Sequence, residues 1–249
     1  MRLYRYTFFF AAICIAAVLG CVANSDERQS TAAQDSGEKK EVKPAETKKV
    51  EMGKQKNIIL EIQGDKRRVL IKSEVCLREG LLEQLLTKKG TKTHEAVLVA
   101  DIDGRDLHLA LTLAGAEPGK VVQFRPKLVP PSGTAIKITL EYEAKGKTVR
   151  VPAQQWIRNL KSKKDFPTDW VFAGSTLFPD PQNPKALPFY GANHGDMICV
   201  VNFETSLLDV PFLNTKDNDD LVYEANTERI PALKTPVTLI LEPVIDKKK

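Results

Sequence analysis

Residues 68–78, with the sequence RVLIKSEVCLR, carry the clearest structural signal in the folded part of this chain. Val69, Ile71 and Val75 are apolar and fall on odd positions, whereas most of the even positions are polar. A period of two is typical of a strand with one buried face. The stretch therefore predicts a half-buried strand, and residues 81–86 are predicted as its hairpin partner.

Further strands follow along the chain. Ile136, Ile138 and Leu140 alternate with polar residues, and the polar turn at 144–147 leads into a second predicted hairpin partner. Residues 237–241 are almost continuously apolar, which is typical of a strand covered on both faces. We expect this last segment to be a central strand.

One segment has the periodicity of a helix. Asp103 can cap its first turn, and Leu107, Ala110 and Leu111 recur on one helical face before Gly115 ends it. Together with the strands, this helix predicts an α+β fold. That fold would hold a mixed or antiparallel β-sheet with hairpins and one main helix at about 103–115.

The first residues predict export. Arg2 and Arg5 precede a run of fifteen uncharged residues from Tyr6 to Gly20, too short for a spanning helix of about 20 residues. Residues 18–21 (Val-Leu-Gly-Cys) resemble a bacterial lipobox, which implies a lipoprotein signal peptide at 1–20 and a lipid on Cys21. The alternative is cleavage after Ala23, which would release a soluble secreted protein.

Composition divides the rest into three parts. Residues 21–57 predict a disordered charged tether, since 22–57 contain 15 charged residues and no Phe, Trp, Tyr, Leu or Ile. Residues 58–245 predict one folded domain, and 246–249 a basic tail. The domain holds 24 basic and 24 acidic residues, so it lacks the basic surface of a nucleic-acid-binding protein, and we expect no nucleic-acid partner.

Several segments of the domain resemble the YdjY-domain family of bacterial exported proteins. The resemblance covers most of residues 58–243, and the block around His94 is its more specific part. It implies a single exported domain in the cell envelope and carries no catalytic residue with it. The matching segments are 75–83, 92–96, 113–119, 151–156 and 225–228.

Two cysteines remain in the predicted domain, Cys76 and Cys199. An exported pair can form a disulfide, and the alternative is two separately buried thiols. A thiol-redox function for Cys76 and Cys199 is a third-ranked hypothesis, because the chain has no Cys-x-x-Cys motif.

The histidines raise a metal hypothesis. His94-Glu95 lacks the second histidine that a helical zinc-protease motif needs at position 98, which is Leu98. A site assembled from His94, Glu95, His108 and His194 stays open, because metal ligands can come from distant parts of a chain. Surface or hydrogen-bonded histidines are the favoured interpretation, and we predict no cofactor and no catalytic residue.

Large aromatic side chains are the best candidates for a binding surface. Residues 161–195 are rich in proline, glycine and aromatic residues, a composition typical of a loop that is either packed onto the domain or functional. We take four rings as candidate contacts for an envelope protein or a glycan: Trp156, Trp170, Phe189 and Tyr190.

These observations favour a membrane-anchored lipoprotein that is a non-enzymatic binding or scaffold module of the cell envelope. It would face the periplasm or the exterior. The first alternative is a metal-dependent enzyme that uses His94, Glu95 and His194, and the second is the thiol-redox protein.

Overall fold

The computed structural model describes residues 46–214 and 222–245. The predicted signal peptide, Cys21, the tether up to residue 45 and the tail 246–249 lie outside the described residues. Within them are fifteen strands: β1 Thr47–Met52, β2 Ile58–Gln63, β3 Lys66–Val75, β4 Gln84–Lys88, β5 Ala96–Ala100, β6 Ala135–Ala144, β7 Lys147–Pro152, β8 Ile157–Asn159, β9 Trp170–Phe172, β10 Leu177–Phe178, β11 Phe189–Tyr190, β12 Ile198–Cys199, β13 Leu208–Asp209, β14 Tyr223–Ala225 and β15 Pro236–Pro243.

The predicted α+β class is wrong. Strands and bridges hold 41% of the described residues, helices hold 9%, and eight strands close into a barrel. The barrel order is β3-β15-β6-β9-β13-β12-β4-β5, and β5 pairs with β3 to complete the ring. The prediction failed because it gave the main helix a structural weight equal to the sheet and did not include closure of the strands into a ring. Closure lets the strands cover one another's apolar faces instead.

Strand β15 is a central strand, as its apolar run predicted, and it makes the longest pairings with its two neighbours, β3 and β6. Leu239 is opposite Ile71 of β3 on one side and Leu140 of β6 on the other. All three side chains are fully buried. The continuous apolar sequence of β15 therefore reflects a strand that is paired on both edges and packed into the core.

One of the two predicted hairpins is present. Strands β6 and β7 pair through the turn at 144–147, where Lys145 and Gly146 both have positive φ. Residues 81–86 are not the hairpin partner of β3. Strand β3 pairs with β2, β5 and β15, while β4 pairs in parallel with β5 and antiparallel with β12. Local alternation predicted the strand, but its hairpin partner is the preceding strand β2, and its other partners, β5 and β15, are distant in sequence.

The one α-helix within residues 46–214 and 222–245, α1 Gly104–Leu113, lies where its periodicity predicted. The Asp103 carboxylate accepts a hydrogen bond from the Arg105 amide at 2.8 Å and so caps the first turn. Leu107, Ala110 and Leu111 face the core. The helix packs against β2 and β3, so it covers one part of the sheet and does not form a layer of its own.

The folded domain begins earlier than composition predicted. Strand β1 falls within the stretch 21–57 that was assigned to the tether. Its side chains are largely exposed, and it is held by antiparallel pairing with β2, from Thr47 opposite Gln63 to Met52 opposite Ile58. An edge strand held by backbone hydrogen bonds needs few apolar residues, so its composition resembles that of a solvated linker.

No described helix has the length and apolar character needed to cross a membrane.

Candidate functional site

The most prominent exposed apolar feature is a short hairpin, here called the aromatic hairpin, formed by β10, β11 and the connecting residues 179–188. Leu177 pairs with Tyr190 and Phe178 with Phe189. Four large apolar side chains on it are exposed, and we call them the hairpin surface: Leu177 (55%), Phe178 (43%), Leu187 (85%) and Phe189 (42%).

Tyr190 fixes the aromatic hairpin to the barrel. Its hydroxyl donates to the Gly174 carbonyl at 2.7 Å and lies 2.8 Å from His108 Nδ1. Since the single hydroxyl proton goes to Gly174, we infer that His108 carries its proton on Nδ1 and donates it to Tyr190. Burial lowers the pKa of His108 and raises that of Tyr190, so both groups are neutral at neutral pH.

The start of α1 is the second point at which the aromatic hairpin is attached to the domain. The Arg105 guanidinium donates to the Pro188 carbonyl. A Cβ on Gly104 would lie 2.9 Å from Tyr190 Cδ1, so only glycine lets the tyrosine ring pack this close to the helix. Asn193, in the 3-10 turn Gly191–His194 that follows β11, accepts a hydrogen bond from the Gly104 amide at 2.8 Å.

A buried polar cluster supports the base of the aromatic hairpin. Asp196 accepts hydrogen bonds from Gln84 Nε2 at 3.2 Å and from Thr205 Oγ1 at 2.5 Å, and Lys92 Nζ lies 3.0 Å from its carboxylate. Burial alone would lower the pKa of Lys92, but the charge and hydrogen bond of Asp196 together with the charges of Glu95 and Glu83 outweigh burial and raise that pKa. The Thr205 carbonyl in turn accepts from Ser175 Oγ at 2.7 Å, just before β10.

The hairpin surface borders an open groove of about 600 Å³. His194 lies at its edge, with ring centroids 4.6 Å from Phe189 and 6.4 Å from Phe178. The polar groups of the groove are those of Arg105, Asp180 and His194. An apolar floor with a few polar groups is typical of a recognition site.

Only one of the four predicted binding rings lies on this surface. Phe189 is exposed, whereas Trp156, Trp170 and Tyr190 are buried. Trp170 stacks on Phe166 at 5.2 Å, and its indole donates to the Cys199 carbonyl at 2.8 Å. The buried rings are part of the core. Phe178, Leu177 and Leu187 were missed because a single apolar residue in a proline-rich loop carries no sequence signal of exposure.

The three histidines have different neighbours. His94 is exposed in the turn between β4 and β5, where its Nε2 lies 3.8 Å from Glu95. His108 contacts Tyr190, and His194 contacts Phe178 and Phe189. Across residues 46–214 and 222–245, no three side chains of His, Cys, Asp or Glu form a group able to hold a metal ion.

Cys76 and Cys199 are free thiols in the structure. Cys76 donates to the Ala96 carbonyl at 3.0 Å, and burial raises its pKa to about 11. Cys199 is fully buried in β12, and burial raises its pKa strongly. Neither thiol is readily ionised at neutral pH, and the thiolate is the reactive form of cysteine.

The closed barrel, the short helix and the aromatic hairpin together define a β-rich domain that exposes the apolar hairpin surface. A family model for the YdjY domain matches residues 60–242, and the chain therefore belongs to the YdjY domain family. Neither the curated proteins nor the solved structures contain a match to this chain.

Proposed function

We propose that this protein is a lipid-anchored binding module of the bacterial cell envelope, and that the hairpin surface contacts an envelope protein. The observation that carries the proposal is the exposure of Leu177, Phe178, Leu187 and Phe189 on one hairpin. Exposed apolar side chains that cluster on a soluble domain mark sites of protein interaction. The export signal and Cys21 support the anchored location.

Rigid attachment of the hairpin supports the same function. Tyr190, Arg105 and Asn193 hold it by hydrogen bonds to the barrel and to α1. A recognition surface held in one conformation loses less entropy when a partner binds. The aliphatic side chains of Leu177 and Leu187 favour a protein partner over a glycan, since sugars stack on rings.

The proposal is tested by photo-crosslinking in native membranes with the full chain. A crosslinking amino acid in place of Phe178 should join the protein to a discrete partner, whereas the same amino acid in place of Leu233 should not. Leu233 is a matched control because it is 57% exposed and belongs to a turn that is bonded to the end of β3, where the Lys234 amide donates to the Val75 carbonyl.

A charge introduced into the hairpin surface gives the second arm of the test. Leu187→Glu should abolish the crosslink without unfolding the domain, since an 85% exposed side chain contributes little to the core. Leu233→Glu should leave it intact. Equal crosslinking from positions 178 and 233, or insensitivity to Leu187→Glu, would contradict a role of the hairpin surface. Capture of wall glycan in place of protein would assign the rings to sugar binding.

A further inference from the structure

The described domain begins and ends at the same end of α1. Thr47 of β1 pairs with Gln63, and Gln63 lines a cavity of about 320 Å³ together with Arg67, Ala114 and Ile245. Arg67 Nη1 donates to the Leu113 carbonyl at 3.1 Å. The chain therefore enters β1 and leaves β15 beside the C-terminal end of the helix.

The opposite end of α1 carries the aromatic hairpin. Gly53, just after β1, would place a Cβ 2.5 Å from Asp106 Oδ2 in the first helical turn. Strand β1 thus lies alongside the helix, with Thr47 near the last turn and Gly53 near the first. α1 is ten residues long, which corresponds to about 15 Å.

Apolar side chains are exposed where the chain enters and leaves. Leu109 and Leu113 lie one turn apart on α1 and are 51% and 44% exposed. Ile245 is 57% exposed, and its Cδ1 would lie 2.9 Å from a Cβ on Gly115, just past the helix. These three residues form an apolar patch around the last turn of α1.

Basic side chains border this patch. Lys48, Lys66 and Arg67 are exposed on β1 and β3, and in the sequence Lys247, Lys248 and Lys249 follow Ile245 closely. The acidic groups of the same cavity wall include Asp65 and Glu242. Exposed apolar residues next to lysine and arginine are typical of surfaces that lie on anionic lipid.

The length of the preceding chain limits the distance from a lipid at Cys21. Twenty-four residues separate Cys21 from Glu46. At most about 3.5 Å per residue, a segment of this length cannot carry the domain more than roughly 85 Å from that lipid. Because the chain enters the domain at this end, we expect this end to be the one nearest the bilayer.

We propose that Leu109, Leu113, Ile245, Lys48, Lys66 and Arg67 form a membrane-contact surface that lies on the anionic headgroups of the anchoring bilayer. Leu113 and Ile245 reach the acyl boundary, and the basic groups lie among the headgroups. This inference rests on the proposed function, because the lipid on Cys21 brings the surface to the membrane. The hairpin surface then points away from the bilayer.

The test uses the full lipidated chain reconstituted in vesicles of phosphatidylglycerol and phosphatidylethanolamine. A fluorophore on Leu113→Cys should be quenched several-fold more by nitroxide-labelled lipid than the same fluorophore on Leu187→Cys. Native thiols interfere little, since Cys76 and Cys199 have raised pKa values. Equal quenching at the two positions, or stronger quenching at position 187, would overturn the orientation.

Charge variants add an independent readout. Lys66→Gln should weaken the binding of the membrane-contact surface to the vesicles roughly fivefold. That is the effect of removing one basic side chain near an anionic surface. Lys147→Gln, on the exposed strand β7, should have no effect. An identical response of both variants, or none from either, would overturn the role of the basic groups.

Flotation separates this inference from the function on which it rests. A chain that does not float with the vesicles would overturn both the anchor and the membrane contact. A chain that floats while the position 113 fluorophore stays unquenched would overturn only the membrane-contact surface. Photo-crosslinking from Phe178 reports on the hairpin surface in either case.

Discussion

At the scale of single residues, Asp209 shows how far burial changes the chemistry of one group. Asn202 Nδ2 and the Val210 amide donate to its Oδ1 at 3.0 and 2.7 Å. Burial penalises the charged carboxylate, and these hydrogen bonds offset that penalty only in part, so the pKa of Asp209 is raised to about 7. The folded protein therefore retains a proton that the unfolded chain releases at lower pH.

The raised pKa sets the sign of a pH effect on stability. The contribution of Asp209 to the free energy of unfolding should be complete below about pH 4 and should be lost as the pH rises to about 7, a change on the order of 3 kcal/mol. Asp209→Asn cannot titrate, so the stability of this variant should rise relative to the wild type across that range. Urea unfolding at a series of pH values measures the difference.

Removal of a surface carboxylate is the control for this effect. Asp65 is exposed in the turn between β2 and β3, and Asp65→Asn controls for the loss of one negative charge that Asp209→Asn also causes. Parallel profiles for the wild type and Asp209→Asn would show that Asp209 does not hold a proton in the folded state.

At the scale of elements, the strands differ widely in how they are held. β15 pairs along six positions with β3 and along seven with β6, whereas the ring closes between β3 and β5 through two positions only. β1 pairs on one edge. Pairing and burial together are therefore greatest at β15 and least at the exposed outer strand β1, whereas β5 at the seam is fully buried.

Hydrogen exchange should follow that order. We expect the amides of Leu239, Ile240 and Leu241 to exchange only on global unfolding, because two neighbours and the core protect them. The amides of β1 should exchange earlier, by local opening. Mass spectrometry of the native protein at several exchange times measures both. Exchange of β15 as fast as β1 would contradict the central position of β15.

Elements with a local cause could be predicted from the sequence, and elements that depend on distant pairing could not. Asp103 and the apolar face of Leu107 and Leu111 determine α1 within its own residues. Closure of the ring depends on Val75 meeting Leu98, and the sequence of neither strand indicates that contact. The fold class was wrong because the seam is not local.

The same distinction applies to the candidate site. Phe189 was predicted because aromatic residues in a long loop are recognisable in sequence. Trp156 and Trp170 have the same signature, yet the barrel encloses them, since large rings fill core volume efficiently. Asp196 and Lys92, which support the hairpin, are about a hundred residues apart, so no spacing in the sequence indicates their contact.

At the scale of the whole molecule, the state of the cysteines can be counted directly. A mature chain acylated on Cys21 should titrate two thiols when it is denatured without reductant, those of Cys76 and Cys199. The native protein should react slowly with a thiol reagent, because burial raises both pKa values. Titration with a chromogenic disulfide before and after denaturation gives both numbers.

Either departure from two thiols is informative. A count of zero in the denatured chain would show that Cys76 and Cys199 are bonded, against the free thiols of the structure. A count of three would show an unmodified Cys21 and would remove the anchor from the proposed function.

The shared location of the first and last described residues has a practical consequence. Glu46 precedes β1 and Ile245 follows β15 beside the last turn of α1, whereas Phe178 and Phe189 are attached near its first turn. A fluorescent reporter or affinity tag genetically fused directly after Ile245 would thus lie on the side remote from these two rings. Such tagged proteins suit imaging and purification without steric obstruction of the groove.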